Sequence, residues 1–196
     1  MDFSNNSVIP IFPLSRVVFP DSLLRLQIFE QRYLKMVSEQ LSKGEGFGVC
    51  LIKRGNEAGI PATPFTIGTY VEIVDFDQTE SGLLKIICLG QRSFQINSLE
   101  ILESNLLTAN VSWLEPIDQK QVLDEQAELV NLLSDLSDHP QVEIIDDEQK
   151  WSQLGFVMDR LTEFMPISER QKQSILETTD IELRQAILFQ MLNWIR

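Results

Sequence analysis

The sequence predicts an α+β chain in which a mostly antiparallel small barrel or curled sheet is followed by a bundle of helices. Three observations carry this. Up to residue 113 the apolar residues alternate with polar ones, or run in short blocks broken by Gly and Pro, as in strands. At Glu115-Pro116 the period lengthens to that of a helix, and proline discourages helix at the residue before it. Beyond that point Ser168-x-x-Gln171 and Thr179-x-x-Glu182 both spell capping boxes. The expected division is residues 1–116 for the barrel and 117–196 for the helices.

Residues 9–36 organise the first part. Pro10, Pro13 and Pro20 lack a backbone donor and fix φ, so short strands are expected between them, most easily at sheet edges, with 17–19 as one of these. From Phe29 the apolar residues Phe29, Tyr33, Met36 and Val37 recur at helical spacing, which predicts a helix stopped by Gly44 in a left-handed cap. Residues 46–52 are apolar on both alternating sets, as in a strand buried on both faces. The Gly- and Pro-rich 53–64 is a loop, 65–76 and 83–89 form a hairpin about a turn at 77–82, and Gly90 marks a bend or bulge before 93–96. Leu107, Ala109, Val111 and Trp113 alternate as a last strand, for about seven in all.

The second part reads as four helices. Asp118 is a candidate cap for a stripe of Val122, Leu123, Ala127, Val130, Leu133 and Leu136. After a polar loop around Pro140, Asp147 caps a helix carrying Trp151, Leu154, Met158, Leu161 and Met165, ended by Pro166. The capping boxes start two more, the last with Ile181, Leu188, Met191, Leu192 and Ile195. Such stripes are expected to be core.

Composition narrows the function. A chain of 196 residues, 43% hydrophobic and 23% charged, can bury a sizeable core. Its longest apolar runs, VCLI and LLKIICLG, fall well short of a bilayer span, and the N-terminus carries no basic and apolar leader pattern, so the expected place is the cytoplasm. Cys50 and Cys88 lie in apolar runs and are expected to behave as small buried hydrophobes. The formal charge is −13, with 13 acids against 9 Lys and Arg in residues 1–116, and 16 against 7 in residues 117–196. Such a surface repels phosphate backbones and anionic lipid, which argues against nucleic acid and membranes as partners.

Chemistry is hard to find. The single histidine, His139, stands between Asp138 and Pro140 in a loop, and the chain has no GxSxG elbow. Two Cys and one His at distant positions do not make a zinc site. Gly44, Gly46 and Gly48 precede a strand and lack GK[ST], so they are not a phosphate loop. Asp146-Asp147-Glu148 lacks calcium-loop spacing. No catalytic residue, metal or cofactor is expected. Arg32 and Arg92 are expected to pair with nearby carboxylates.

The order of apolar-Pro-apolar, Arg16, Val17-Val18-Phe19-Pro20, an apolar strand and Phe29-Glu30-x-Arg32-Tyr33 resembles the opening of the Lon protease N-terminal domain. The likeness continues at Ile67-Gly68-Thr69 and Leu89-Gly90-Gln91-Arg92-Ser93-Phe94. It returns at Phe164-Met165-Pro166-Ile167-Ser168 followed by Lys172-Gln173-Ser174-Ile175-Leu176-Glu177. The resemblance implies a PUA-like barrel followed by helices and a role in recognising substrate proteins. Neither the ATPase nor the Ser-Lys protease of full-length Lon is spelled here, which implies a stand-alone, non-catalytic substrate-binding domain. The expected partners are other polypeptides with exposed apolar segments, met in the cleft between barrel and helices. The expected contacts are Phe19, Phe29, Arg32 and Tyr33, with Tyr33 foremost because its ring covers apolar surface while its hydroxyl prefers a polar edge. Two alternatives are an RNA- or nucleotide-binding PUA-like domain, disfavoured by the acidic charge, and an uncharacterised hydrolase.

Overall fold

A computed structural model of the chain describes residues 7–79, 83–117, 120–145 and 147–195. The chain divides into two compact units, Met1–Leu114 and Glu115–Arg196.

Among its described residues the first unit holds seven strands and one helix: β1 (Ser7–Leu14), β2 (Leu23–Ile28), α1 (Gln31–Lys43), β3 (Phe47–Arg54), β4 (Thr63–Pro64), β5 (Ile67–Gln78), β6 (Leu84–Ile101) and β7 (Leu107–Trp113). Along the sheet the order is β1-β7-β6-β5-β3, and β1 also pairs with β3, which closes the ring into a barrel. All pairings are antiparallel except β1 with β3. A parallel pair needs a crossover, and β2 with α1 supplies it.

β1 corrects the expectation of short edge strands, because it runs through both Pro10 and Pro13 with a neighbour on each side. Pro10 lies where β1 pairs with β7 (opposite Thr108), and Pro13 where it pairs with β3 (opposite Cys50). Successive residues face opposite edges, so these two nitrogens point in opposite directions, and each proline has a ladder on one side only. Residues 17–19 are not a strand, although all three are buried. Two of their carbonyls find partners outside any ladder: Ser22 N–H donates to the Phe19 carbonyl at 3.2 Å and Thr69 Oγ1 to that of Val18 at 2.7 Å.

Strand β6 is continuous where two strands were expected. Gly90 pairs with Val71 and Arg92 with Tyr70, leaving Gln91 as the extra residue of a bulge. A side chain at 90 would meet the Phe19 carbonyl oxygen at 2.3 Å. The turn expected at 77–82 lies partly outside the described residues. Two-residue β4 falls in what reads as loop, held by Ile52↔Pro64 and Arg54↔Thr63.

Alternation sorts the apolar residues into two cores. Ile9 and Ile11 face the barrel interior with Cys50, Tyr70, Phe94, Leu107, Ala109 and Val111. Phe12 and Leu14 join a second cluster with Leu24 and Ile28 of β2, Tyr33, Met36 and Val37 of α1, and Phe47, Val49, Val71, Ile86 and Cys88. Gly44 ends α1 with φ 66°, its N–H reaching back to the α1 carbonyls, as read from the sequence. Gly46 is required for contact: a Cβ there would lie 1.8 Å from the Val71 oxygen.

The second unit begins with a 3₁₀ turn at Asp124–Gln126 and contains α2 (Ala127–Ser137), α3 (Glu148–Trp151), α4 (Leu154–Phe164), α5 (Glu169–Leu176) and α6 (Ile181–Ile195). The cap expected at Asp118 lies outside the described residues, as does Asp146. The first expected stripe is shifted: Leu129 and Leu133 are the buried residues of α2, while Leu123 precedes the helix and is exposed. The second expected helix is broken in two at Ser152 and Gln153, where Gln121 bridges to Gln153 and the Val122 N–H donates to the Ser152 carbonyl. Asp147 does cap, accepting from Gln149 N–H at 3.0 Å, and Ser168 and Gln171 close their reciprocal box. The cap of α6 is Asp180, which accepts from Leu183 N–H at 2.9 Å, in place of the expected Thr179. Every residue from Leu154 to Thr162 is buried, which makes α4 the central helix of the bundle. Among the described residues no helix is long and apolar enough to cross a membrane.

Candidate functional site

The junction from β2 into α1 forms a cavity of about 190 Å³, whose apolar wall is Phe12 and Leu14 of β1, Leu26 and Ile28 of β2, Phe29, and Tyr33 of α1. Arg25, Gln27, Glu30 and Glu57 supply its polar lining. The local reason is chain direction. The chain leaves β2 at Ile28 and enters α1 at Gln31, so Phe29 and Glu30 must turn a corner on the surface. Glu30 is the extended N-cap and Phe29 lies just before it, two residues ahead of the helix that the spacing places it in.

The four expected contact residues have different places. Phe29 is 65% exposed at the rim and Tyr33 is 4% exposed in the wall. Phe19 is completely buried and Arg32 is buried at the helix start; neither lines the cavity. Tyr33 stacks on Phe12 with ring centroids 4.0 Å apart and planes at 20°. The Arg32 guanidinium lies 4.6 Å from the centre of the same ring. That guanidinium pairs with Glu30 at 3.0 Å, as expected of it, and its Nη1 donates to the Asn105 carbonyl at 2.9 Å. Arg32 therefore holds the helix start and the Tyr33 ring in place. Burial pushes the Tyr33 hydroxyl up to about 12, with the Arg32 charge opposing the shift.

Arg92 donates through Nε to the Leu114 carbonyl at 2.7 Å, a backbone partner that residue type alone does not announce. His139 is exposed and accepts a hydrogen bond from the Gln141 N–H at Nδ1. Cys50 and Cys88 are free and buried, and desolvation pushes both thiols up, Cys88 to about 12. A thiol so placed is a packing group.

Sequence reasoning missed Phe12, Leu14, Leu26, Ile28 and Glu57. Alternation does set Phe12 and Leu14 apart from Ile9 and Ile11, so a signal for the first two existed. Nothing in the composition of residues 53–64 singles out Glu57, which reaches Ser15 from a loop 42 positions away.

The arrangement is a small apolar hollow with an exposed aromatic at its rim and hydrogen-bonding groups around it. Residues 8–194 match the family of the ATP-dependent protease La (LON) substrate-binding domain. A Lon N-terminal domain protein from Xanthomonas campestris has the same fold, with a TM-score of 0.77 and 32% identity over 96% of this chain and 98% of that one. The N-terminal domain of a Mycobacterium avium complex Lon protease superposes with a TM-score of 0.65 at 18% identity, over 94% and 97% of the two chains. Lon protease 2 of Myxococcus xanthus is 23% identical over 95% of this chain, which spans 23% of that protein's length. The chain belongs to the Lon substrate-binding domain family.

Proposed function

We propose that this chain is a non-catalytic module that binds exposed apolar segments of other polypeptides, and that it does so at the junction of β2 and α1. One observation carries the reading: in a member of a substrate-binding family, Phe29 stands 65% exposed beside an apolar cavity instead of joining the core under it. The hollow takes an apolar side chain of the client, Phe29 covers it from the rim, and the polar lining accommodates the client backbone. Tyr33 serves as wall. The formal charge of −13 supports a polypeptide over RNA as the ligand.

The test is a titration of fluorescently labelled, reduced and carboxymethylated lactalbumin against the wild type and Phe29→Ser. The substitution should weaken binding by about 1–3 kcal/mol, as interface aromatics do, and should shift stability by no more than about 0.5 kcal/mol because the ring is on the surface. Unchanged affinity for Phe29→Ser would move the site elsewhere, and no saturable binding by the wild type would end the proposal. Incubated with ATP or with casein, the protein should turn over neither.

A further inference from the structure

We propose that the loop of residues 55–62 is a latched flap over this site, held shut by Glu57 on Ser15 and opened by the incoming segment. The inference rests on the reading of the β2–α1 junction as the binding site.

The loop leaves and returns at one place. Arg54 pairs with Thr63 across its base, and Gly55 sits so close to Ala62 that an added Cβ would be 3.1 Å from the Ala62 Cα. Gly55 has φ 104° and Gly59 φ 90°, so the arm is built around two left-handed glycines, the first of them at the neck where a hinge has to be. Residues 55–60 are exposed. Among the described residues, the hydrogen bonds from this arm to the body are those of Glu57, whose Oε1 accepts from the Ser15 N–H at 2.6 Å and from the Ser15 hydroxyl. Ser15 follows Leu14, a wall residue, and Glu57 itself lines the cavity. Closing this one contact therefore closes part of the rim.

The contact is suited to release. Ser15 and Glu57 are both exposed, so water competes for each. A carboxylate that accepts a backbone N–H from Ser15 can accept one from a client backbone instead, so partner exchange replaces one charge-assisted bond by another of the same kind. Ile60, three residues beyond Glu57, is 87% exposed, and in the open state it gives the arm an apolar tip to lay on the client. The free protein spends part of its time shut, and that fraction lowers its apparent affinity.

The test uses stopped-flow association and equilibrium titration with the same labelled carboxymethylated lactalbumin. Glu57→Ala removes the latch and should raise the association rate about threefold to tenfold, the inverse of the open fraction in the wild type. Ser15→Ala, which keeps the backbone donor, should raise it less. A double variant, S15C with E57C, bridged by a short bis-maleimide, should lose binding at least about tenfold, while the unbridged double variant behaves like Glu57→Ala. Cys50 and Cys88 are buried and stay out of the bridging reaction. Thermal melts run on every variant separate loss of fold from loss of entry. A Glu57→Ala rate equal to the wild type, or a bridged protein that binds as well as the unbridged one, removes the flap and leaves the site standing. A wild type that binds no client removes both.

Discussion

Tyr33 of α1 stacks on Phe12 of β1, with ring centroids 4.0 Å apart, and this pair joins the helix start to the barrel beneath the candidate site. Phe12 also meets Phe47 at 5.9 Å, so the stack continues into the cluster between the barrel and α1. Truncating either ring leaves a hole in a packed core. Tyr33→Ala and Phe12→Ala should each cost about 3–5 kcal/mol in urea unfolding, whereas Tyr33→Phe, which keeps the stack, should cost less than about 1.5 kcal/mol. A stable Tyr33→Ala that has lost client binding would make Tyr33 a direct contact and contradict its role as wall.

Alkaline titration should show an unusual silence. The protein has two tyrosines, and burial pushes both Tyr33 and Tyr70 up to about 12, in the case of Tyr70 against a hydrogen bond from the Gly46 N–H that lowers it. A tyrosine ordinarily titrates near 10. A hydroxyl whose folded value is raised keeps its proton in the native state, so its contribution to stability is complete below about pH 10 and is lost as pH rises toward 12. Phenolate absorbance should therefore stay flat through pH 10 and appear near 12 together with loss of the far-ultraviolet signal. A normal step near 10 in the folded protein would contradict the burial.

In the second unit Arg184 of α6, only 2% exposed, donates to Asp159 of α4, to the Leu176 carbonyl of α5 at 3.3 Å and to the Thr178 carbonyl at 3.1 Å. One guanidinium thus ties three helices. Replacing it by alanine removes the buried guanidinium that Asp159 accepts from, at a cost of about 3–5 kcal/mol. A double variant, Arg184→Met with Asp159→Leu, removes both charges and should recover most of that loss. Circular dichroism melts decide this, and an Arg184→Ala protein with the melting temperature of the wild type would show the pair to be dispensable.

Limited proteolysis should find two structural units. The period of the sequence changes at Pro116, Glu115 and Pro116 are exposed, and so are His139, Pro140 and Gln141 after α2. First cuts are expected near residues 114–120 or 137–148, releasing a barrel fragment that mass spectrometry can size. Cuts confined to 65–96 would contradict this division.

The sequence by itself determined the order of barrel and helices, because side-chain period is a local property written in consecutive residues. It also determined three helix ends, since Gly44, Asp147 and Ser168 each act on the backbone within a turn of themselves. Where two caps stood side by side, Thr179 and Asp180, spelling did not choose between them; the fold used the carboxylate. Only the tertiary structure decided that β1 pairs in parallel with β3, since an alternating strand shows which faces are apolar but not which neighbour takes its edge. It alone sorted three aromatics of one stretch into a buried Phe19, a wall Tyr33 and an exposed Phe29, because that choice depends on what β2, β6 and the crossover place around each ring. Glu57 and Arg184 belong to the same class. A carboxylate in a glycine-rich loop and an arginine in a helix are ordinary surface spellings, and it took contacts to residues 42 and 25 positions away to make one a latch candidate and the other a buried tie.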